Sequence, residues 1–150
     1  MVHPAGHPAL YDGLVAVHVV CAVVGFGAVA VSGAYGALAR RLPASEEVRR
    51  YFRARGWAEY LVVATPVPGV AAMAVRPGGS DFGELWVIAG AVIWVTASTL
   101  LLRAVRPAEA VIRAGEHPAS ALGGRRLMWA AAVSDVLFVI ALFLMVTQPT

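Results

Sequence analysis

Four stretches of the chain are almost wholly apolar: about Leu14 to Leu38, Trp57 to Val75, Leu85 to Leu102 and Leu127 to Val146. Short segments rich in arginine, proline and glycine separate them. Each run is roughly 18–25 residues, which crosses a ~30 Å hydrocarbon layer at about 1.5 Å per residue. Inside such a layer every backbone N–H and C=O must be satisfied within its own segment, so the runs predict helices. The expected fold is all-α, a polytopic membrane four-helix bundle forming one integral membrane domain over residues 1–150.

Helices in lipid associate through small residues that let backbones approach. The first run carries His18, Cys21, Gly25, Ala28, Ser32 and Gly36 at spacings of three and four, with Gly27 close by. The second carries Ala58, Val62, Thr65, Gly69 and Ala72. In the fourth, Met128, Ala131, Ala132, Asp135, Phe138 and Leu142 share a face. These faces are expected to meet inside the bundle, leaving the Leu- and Val-rich faces to lipid. The second run also holds Thr65-Pro66-Val67-Pro68-Gly69, where two prolines remove backbone donors and predict a kink. The freed carbonyls either line a cavity, as in broken transporter helices, or are patched locally.

Composition sharpens this picture. The 150 residues are 59% hydrophobic and 14% charged, against about 25% charged in soluble domains. Net charge is +3, but the basic residues flank apolar runs and form no patch with interleaved aromatics. No nucleic-acid partner is expected; the partner is the lipid bilayer. All 12 basic residues are arginine, and the richness in Ala, Val and Gly fits a GC-rich bacterial genome. The one cysteine, Cys21, excludes an intrachain disulfide.

Arginine placement sets the expected orientation. The first connection holds Arg40, Arg41, Arg49, Arg50, Arg53 and Arg55, and the third holds Arg103, Arg106, Arg113, Arg125 and Arg126. Arg76 is the remaining one. The positive-inside rule places the first and third connections in the cytoplasm and both termini outside, in a bacterial plasma membrane. Tyr11 and Trp86 fall at the expected outer interface, and Trp57, Tyr60 and Trp129 at the inner one; Trp94 is mid-helix. Met1 to Gly13 contains no Lys or Arg, and the run after it exceeds a signal core, so the first helix is expected to be retained.

Ser45-Glu46-Glu47 has the chemistry of a helix start, followed by Val48, Tyr51, Phe52 and Arg55 at helical spacing. This segment is either a separate surface helix or an extension of the second run. In the third connection, Pro107 and Pro118 bracket a short helix near Ala108–Ala114. At an offset of about 72 residues, Trp57 aligns with Trp129, Met73 with Met145 and Pro77 with Pro149. Arg41 and Arg53 likewise align with Arg113 and Arg125. Two parallel helical-hairpin repeats, or shared membrane constraints, give such a pattern.

Few residues carry candidate chemistry. Asp135 lies roughly 13 Å into the fourth run by helical rise. A carboxylate there is costly, so it should face inward and be neutral, with Thr65, Thr96, Ser134 and Gly25 or Gly27 as neighbours. The two readings are a proton or cation site and a structural hydrogen bond. His18, about 7 Å inside the outer end of the first helix, forms with Cys21, His3 and His7 a set able to bind copper or zinc, and its imidazole is a haem ligand type. The alternative is an interhelical hydrogen bond. Glu59 is expected to pair with Arg125 or Arg126. Thr96, Ser98 and Thr99 are expected to bond their own helix.

His18 followed by Gly25-Phe26-Gly27, and the closing Phe143-Leu144-Met145-Val146-Thr147-Gln148-Pro149, resemble a family of predicted bacterial integral membrane proteins of unknown function. Their last helix typically closes Leu-Met-Val-x-Lys-Pro; here Gln148 replaces the lysine. The arrangement is more distantly similar to copper-resistance membrane proteins and a membrane protoporphyrinogen oxidase. That similarity implies haem b or copper at His18. No catalytic motif is recognised in the chain. The expected role is therefore non-enzymatic: an accessory subunit of a larger membrane complex, or a homo-oligomer. A haem- or copper-binding redox protein using His18 and a small transporter or proton pathway using Asp135 are the alternatives.

Overall fold

A computed structural model describes residues 8–42, 45–54, 56–77, 82–115 and 119–147. All five elements are helical: α1 (Pro8–Arg41), α2 (Glu46–Ala54), α3 (Ala58–Ala74), α4 (Leu85–Ala114) and α5 (Ala119–Thr147). No strand occurs among the described residues. Three helices are long and apolar enough to cross a membrane: Pro8–Arg41, Leu85–Ala114 and Ala121–Thr147. The shorter apolar helix α3 spans about 25 Å at 1.5 Å per residue. This is the make-up of a small polytopic membrane protein.

α1 packs along α5 and α3, and α4 packs against both α5 and α3. Glycines set the closest approaches. A Cβ on Gly25 would lie 2.6 Å from the Val62 backbone nitrogen, and one on Gly36 would lie 3.0 Å from the Leu127 side chain. Gly33, absent from the expected stripe, sits directly against the Ala131 methyl group. Gly27 is exposed, with open space where its side chain would be, so it packs against nothing. Phe26 stacks on Phe138 with ring centroids 4.9 Å apart. The lipid-type exterior is carried by Val20, Val67, Val92, Val139 and Val146.

The buried face of α5 differs from the expected one. It runs through Gly124, Leu127, Ala130, Ala131 and Ser134. Ala132 and Leu142 are exposed and Asp135 is on the flank. Gly123 and Gly124, lying before the expected start of the helix, explain the rotation. They bring α5 onto the Ala108 carbonyl of α4 and onto the Gly36 carbonyl and Arg40 backbone nitrogen of α1.

α2 is a separate helix packed on the ends of α1 and α4. Ser45 Oγ accepts from the Val48 N–H at 3.5 Å. Val48 and Phe52 are buried, and Tyr51 stacks on Tyr35 at 3.7 Å. The segment that aligns with α2 in the proposed repeat belongs to α5, so the two halves differ here. Pro149 lies outside the described residues.

Pro107 does not interrupt α4. The helix widens into a π turn over Leu101–Val105 and continues to Ala114, where Gly115 closes it at φ 77. The wide turn absorbs the donor that proline lacks. Pro118 lies outside the described residues.

Candidate functional site

The proline-broken stretch of α3 is engaged by side chains from two neighbouring helices. Pro66 cannot donate to the Val62 carbonyl, its ordinary partner four residues back. The Trp94 indole Nε1 of α4 donates to that oxygen instead, at 3.1 Å. This accounts for a tryptophan away from both interfaces. Thr65 Oγ1 donates to Leu61 O at 2.6 Å. From α1, His18 Nδ1 lies 2.8 Å from Thr65 O. A carbonyl only accepts, so Nδ1 carries a proton, and in the neutral ring Nε2 presents a lone pair. The ring is seated on Gly69, where a Cβ would meet Nδ1 at 2.7 Å.

His18 is thus held in the tautomer that metal- and haem-ligating histidines use, with Nδ1–H on a backbone carbonyl. Cys21 is half-buried and free, one turn along α1. His3 and His7 lie outside the described residues. Among the described residues, no group of three His, Cys, Asp or Glu side chains could hold a metal ion.

Asp135 is half-exposed on the flank of α5. Its expected partners are engaged elsewhere. Ser134 Oγ donates to Ala130 O at 3.0 Å, and Thr96 Oγ1 donates to Val92 O at 2.9 Å on an exposed face of α4. Thr65 is turned to its own helix and to His18. Thr99, like Thr96, bonds its own helix, whereas Ser98 Oγ is buried without a partner. The Asp135, Val136, Val139 and Ile140 side chains line a shallow outer groove. A second groove, through Trp129, Ala132, Val133, Val136 and Leu137, continues it along α5.

The richest polar cluster lies at the arginine-rich end and draws on four helices. Glu59, at the start of α3, is 1% exposed, and Glu109 of α4 is 3% exposed. Arg106 Nη1 lies 2.9 Å from Glu109 Oε2 and 3.5 Å from Glu59 Oε2. The expected partners of Glu59, Arg125 and Arg126, are instead exposed on α5. Ser32 Oγ of α1 donates to Glu59 Oε1 at 2.5 Å and lies 3.4 Å from Tyr51 Oη of α2. The Tyr60 ring lies beneath the Arg106 guanidinium, 5.0 Å from centroid to Cζ, within cation–π range.

Glu109 stands beyond the apolar run, since 24 residues after Leu85 is about 36 Å along the axis. Burial foremost, and then the Glu59 carboxyl beside it, push Glu109 up to about 7. Arg106 and Ser32 oppose the shift. In the sequence Arg106 reads only as a loop charge, and Glu109 has no assigned role. Their i,i+3 spacing was the available signal, but the π turn that aims them at Glu59 was not readable.

No family model, curated protein or solved structure matches this chain. What its sites can do therefore follows from their chemistry alone.

Proposed function

We propose that the chain is a four-crossing bacterial plasma-membrane protein that works by assembling, as a homo-oligomer, rather than by catalysis. In this reading α3 is the fourth crossing, and the arginine-rich end faces the cytoplasm with both termini outside. The resemblance of the first and last helices to a family of bacterial integral membrane proteins agrees with it.

One observation carries the assembly. Asp135 lies well inside α5, half-exposed, with no hydrogen-bond or ionic partner among the described residues. A polar group at that depth is stable only against protein or water. Beside it runs an exposed stripe, Trp129, Val133, Val136, Ile140 and Phe143. Its alternating spacings of four and three are those of a packed helix seam. A second copy supplies the same stripe and a second Asp135 across a two-fold axis, so each carboxyl gains a polar partner.

Crosslinking from Val139 in the native membrane, with native mass measurement in detergent, tests this. A dimer or higher oligomer weakened by Asp135→Leu is the expected result. A heterologous partner captured at Val139 would replace the homo-oligomer with an accessory-subunit role. A monomer in both settings would refute assembly.

The second reading is haem b or copper at His18, favoured by its Nδ1 contact with Thr65 O. His18 Nε2 would be the ligating atom, and a second ligand would have to come from another chain or from His3 or His7. An absorption band or bound copper lost in His18→Ala would establish it. Purified protein with neither would end it.

A further inference from the structure

We propose that Glu59 and Glu109 together form a proton-binding site, one proton being shared between their facing carboxyls while Arg106 balances the remaining negative charge. The geometry brings both carboxyls to one cation. Arg106 Nη1 lies 3.5 Å from Glu59 Oε2 and 2.9 Å from Glu109 Oε2, so the two side chains crowd a single guanidinium nitrogen. Two carboxylates sharing one site repel, and a proton on one of them relieves the repulsion.

Charge gives the same answer. Both carboxyls are almost wholly buried, and only Arg106 lies within ion-pair distance of them among the described residues. Two carboxylates against one guanidinium would bury an uncompensated negative charge, which is far costlier than taking up a proton.

The groups facing the pair come from every element around it. α1 contributes the Ser32 hydroxyl, with Tyr35 stacked on Tyr51 behind it. α2 contributes Tyr51 through Ser32. Its Arg49 is turned away to Glu46, at 2.9 Å, and packs over Gly115. α3 contributes Tyr60, which lies on Arg106. α5 meets this end with Gly123, Gly124 and Leu127. The Arg106 side chain is 24% exposed, so the pair has an aqueous flank through which the proton exchanges. Losing the proton places a second negative charge between α3 and α4, so occupancy is coupled to the contact of these two helices.

Infrared titration of the full chain in lipid vesicles tests the site. Asp135→Asn serves as background, since Asp135 is itself an acid in the apolar layer. Between about pH 5 and about pH 9, a protonated-carboxyl band equivalent to one proton per chain should disappear in that background. Adding Glu59→Gln or Glu109→Gln should abolish it, because the remaining carboxylate then pairs with Arg106. Absence of the band in Asp135→Asn alone overturns the proposal, whether or not the glutamine variants fold. A band that survives both substitutions overturns it too. So does a midpoint that moves with sodium concentration, which would assign the site to a metal cation.

Discussion

The Trp94 indole donates to the Val62 carbonyl at 3.1 Å, and Val62 is the residue whose helical donor is replaced by Pro66. One long-range hydrogen bond therefore offsets a proline defect in the neighbouring helix. Trp94→Phe keeps the ring and removes the donor. It should cost about 1–3 kcal/mol, the penalty for an orphaned buried acceptor. In a Pro66→Ala background the helix supplies its own donor, so the same substitution should cost markedly less. Unfolding of both pairs in detergent–denaturant mixtures measures the difference.

His18 and Gly69 form a second coupled pair. Gly69→Ala places a methyl group on the imidazole and should destabilise by about 1–3 kcal/mol, as overpacking does. Combined with His18→Ala, its extra effect should shrink, because the ring it strikes is gone. A double-mutant cycle on thermal stability reads this directly.

Glycines of α1 should divide by face. Gly25→Ala drives a Cβ toward the Val62 backbone nitrogen, where the neighbour is main chain and cannot swing aside. It should lower stability by about 1–3 kcal/mol. Gly27→Ala meets open space and removes a helix-interior glycine, so it should stabilise by up to about 1 kcal/mol. Melting temperatures of the two variants are the check.

Stability should depend on pH through Glu109. Its carboxyl is raised from the ordinary 4.5 to about 7 in the folded chain. A raised folded value means the native state binds the proton more tightly than the unfolded chain. The resulting stability is complete below about 4.5 and is lost as pH rises through about 7. Melting temperature should fall across that window. Glu109→Gln should flatten the fall.

The hydrophobic runs made the all-helical character legible, because a lipid-length apolar segment has few alternatives. Three of the four runs lie in helices long enough to cross a membrane, while the second lies in the shorter α3. Gly25, Ala28, Ser32 and Gly36 of the α1 stripe were legible because close helix packing selects small residues, whereas Gly33 was missed and Gly27 faces open space. The face of α5 was not legible. Gly123 and Gly124 lie before the apolar run, yet they set the close approach that places Ser134 inside and Asp135 on the flank. Glu59 was legible as an interfacial acid but not its partner, since pairing through Arg106 depends on a local change of helical pitch. Thr96 read as a buried neighbour of Asp135 and is on the outer face, because its hydroxyl is satisfied by Val92 O wherever the helix turns it.

That change of pitch at Leu101–Val105 works as an angular offset. A π turn accommodates one residue more than the α-helical path, and each residue of α-helix is worth about 100° of rotation. Winding these same residues as regular α-helix would keep α4 helical and apolar, with Arg106 and Glu109 still three apart. It would nonetheless swing both away from Glu59. Whether this end of the molecule holds its buried charges together is thus decided by phase along one rod, not by which amino acids the rod contains.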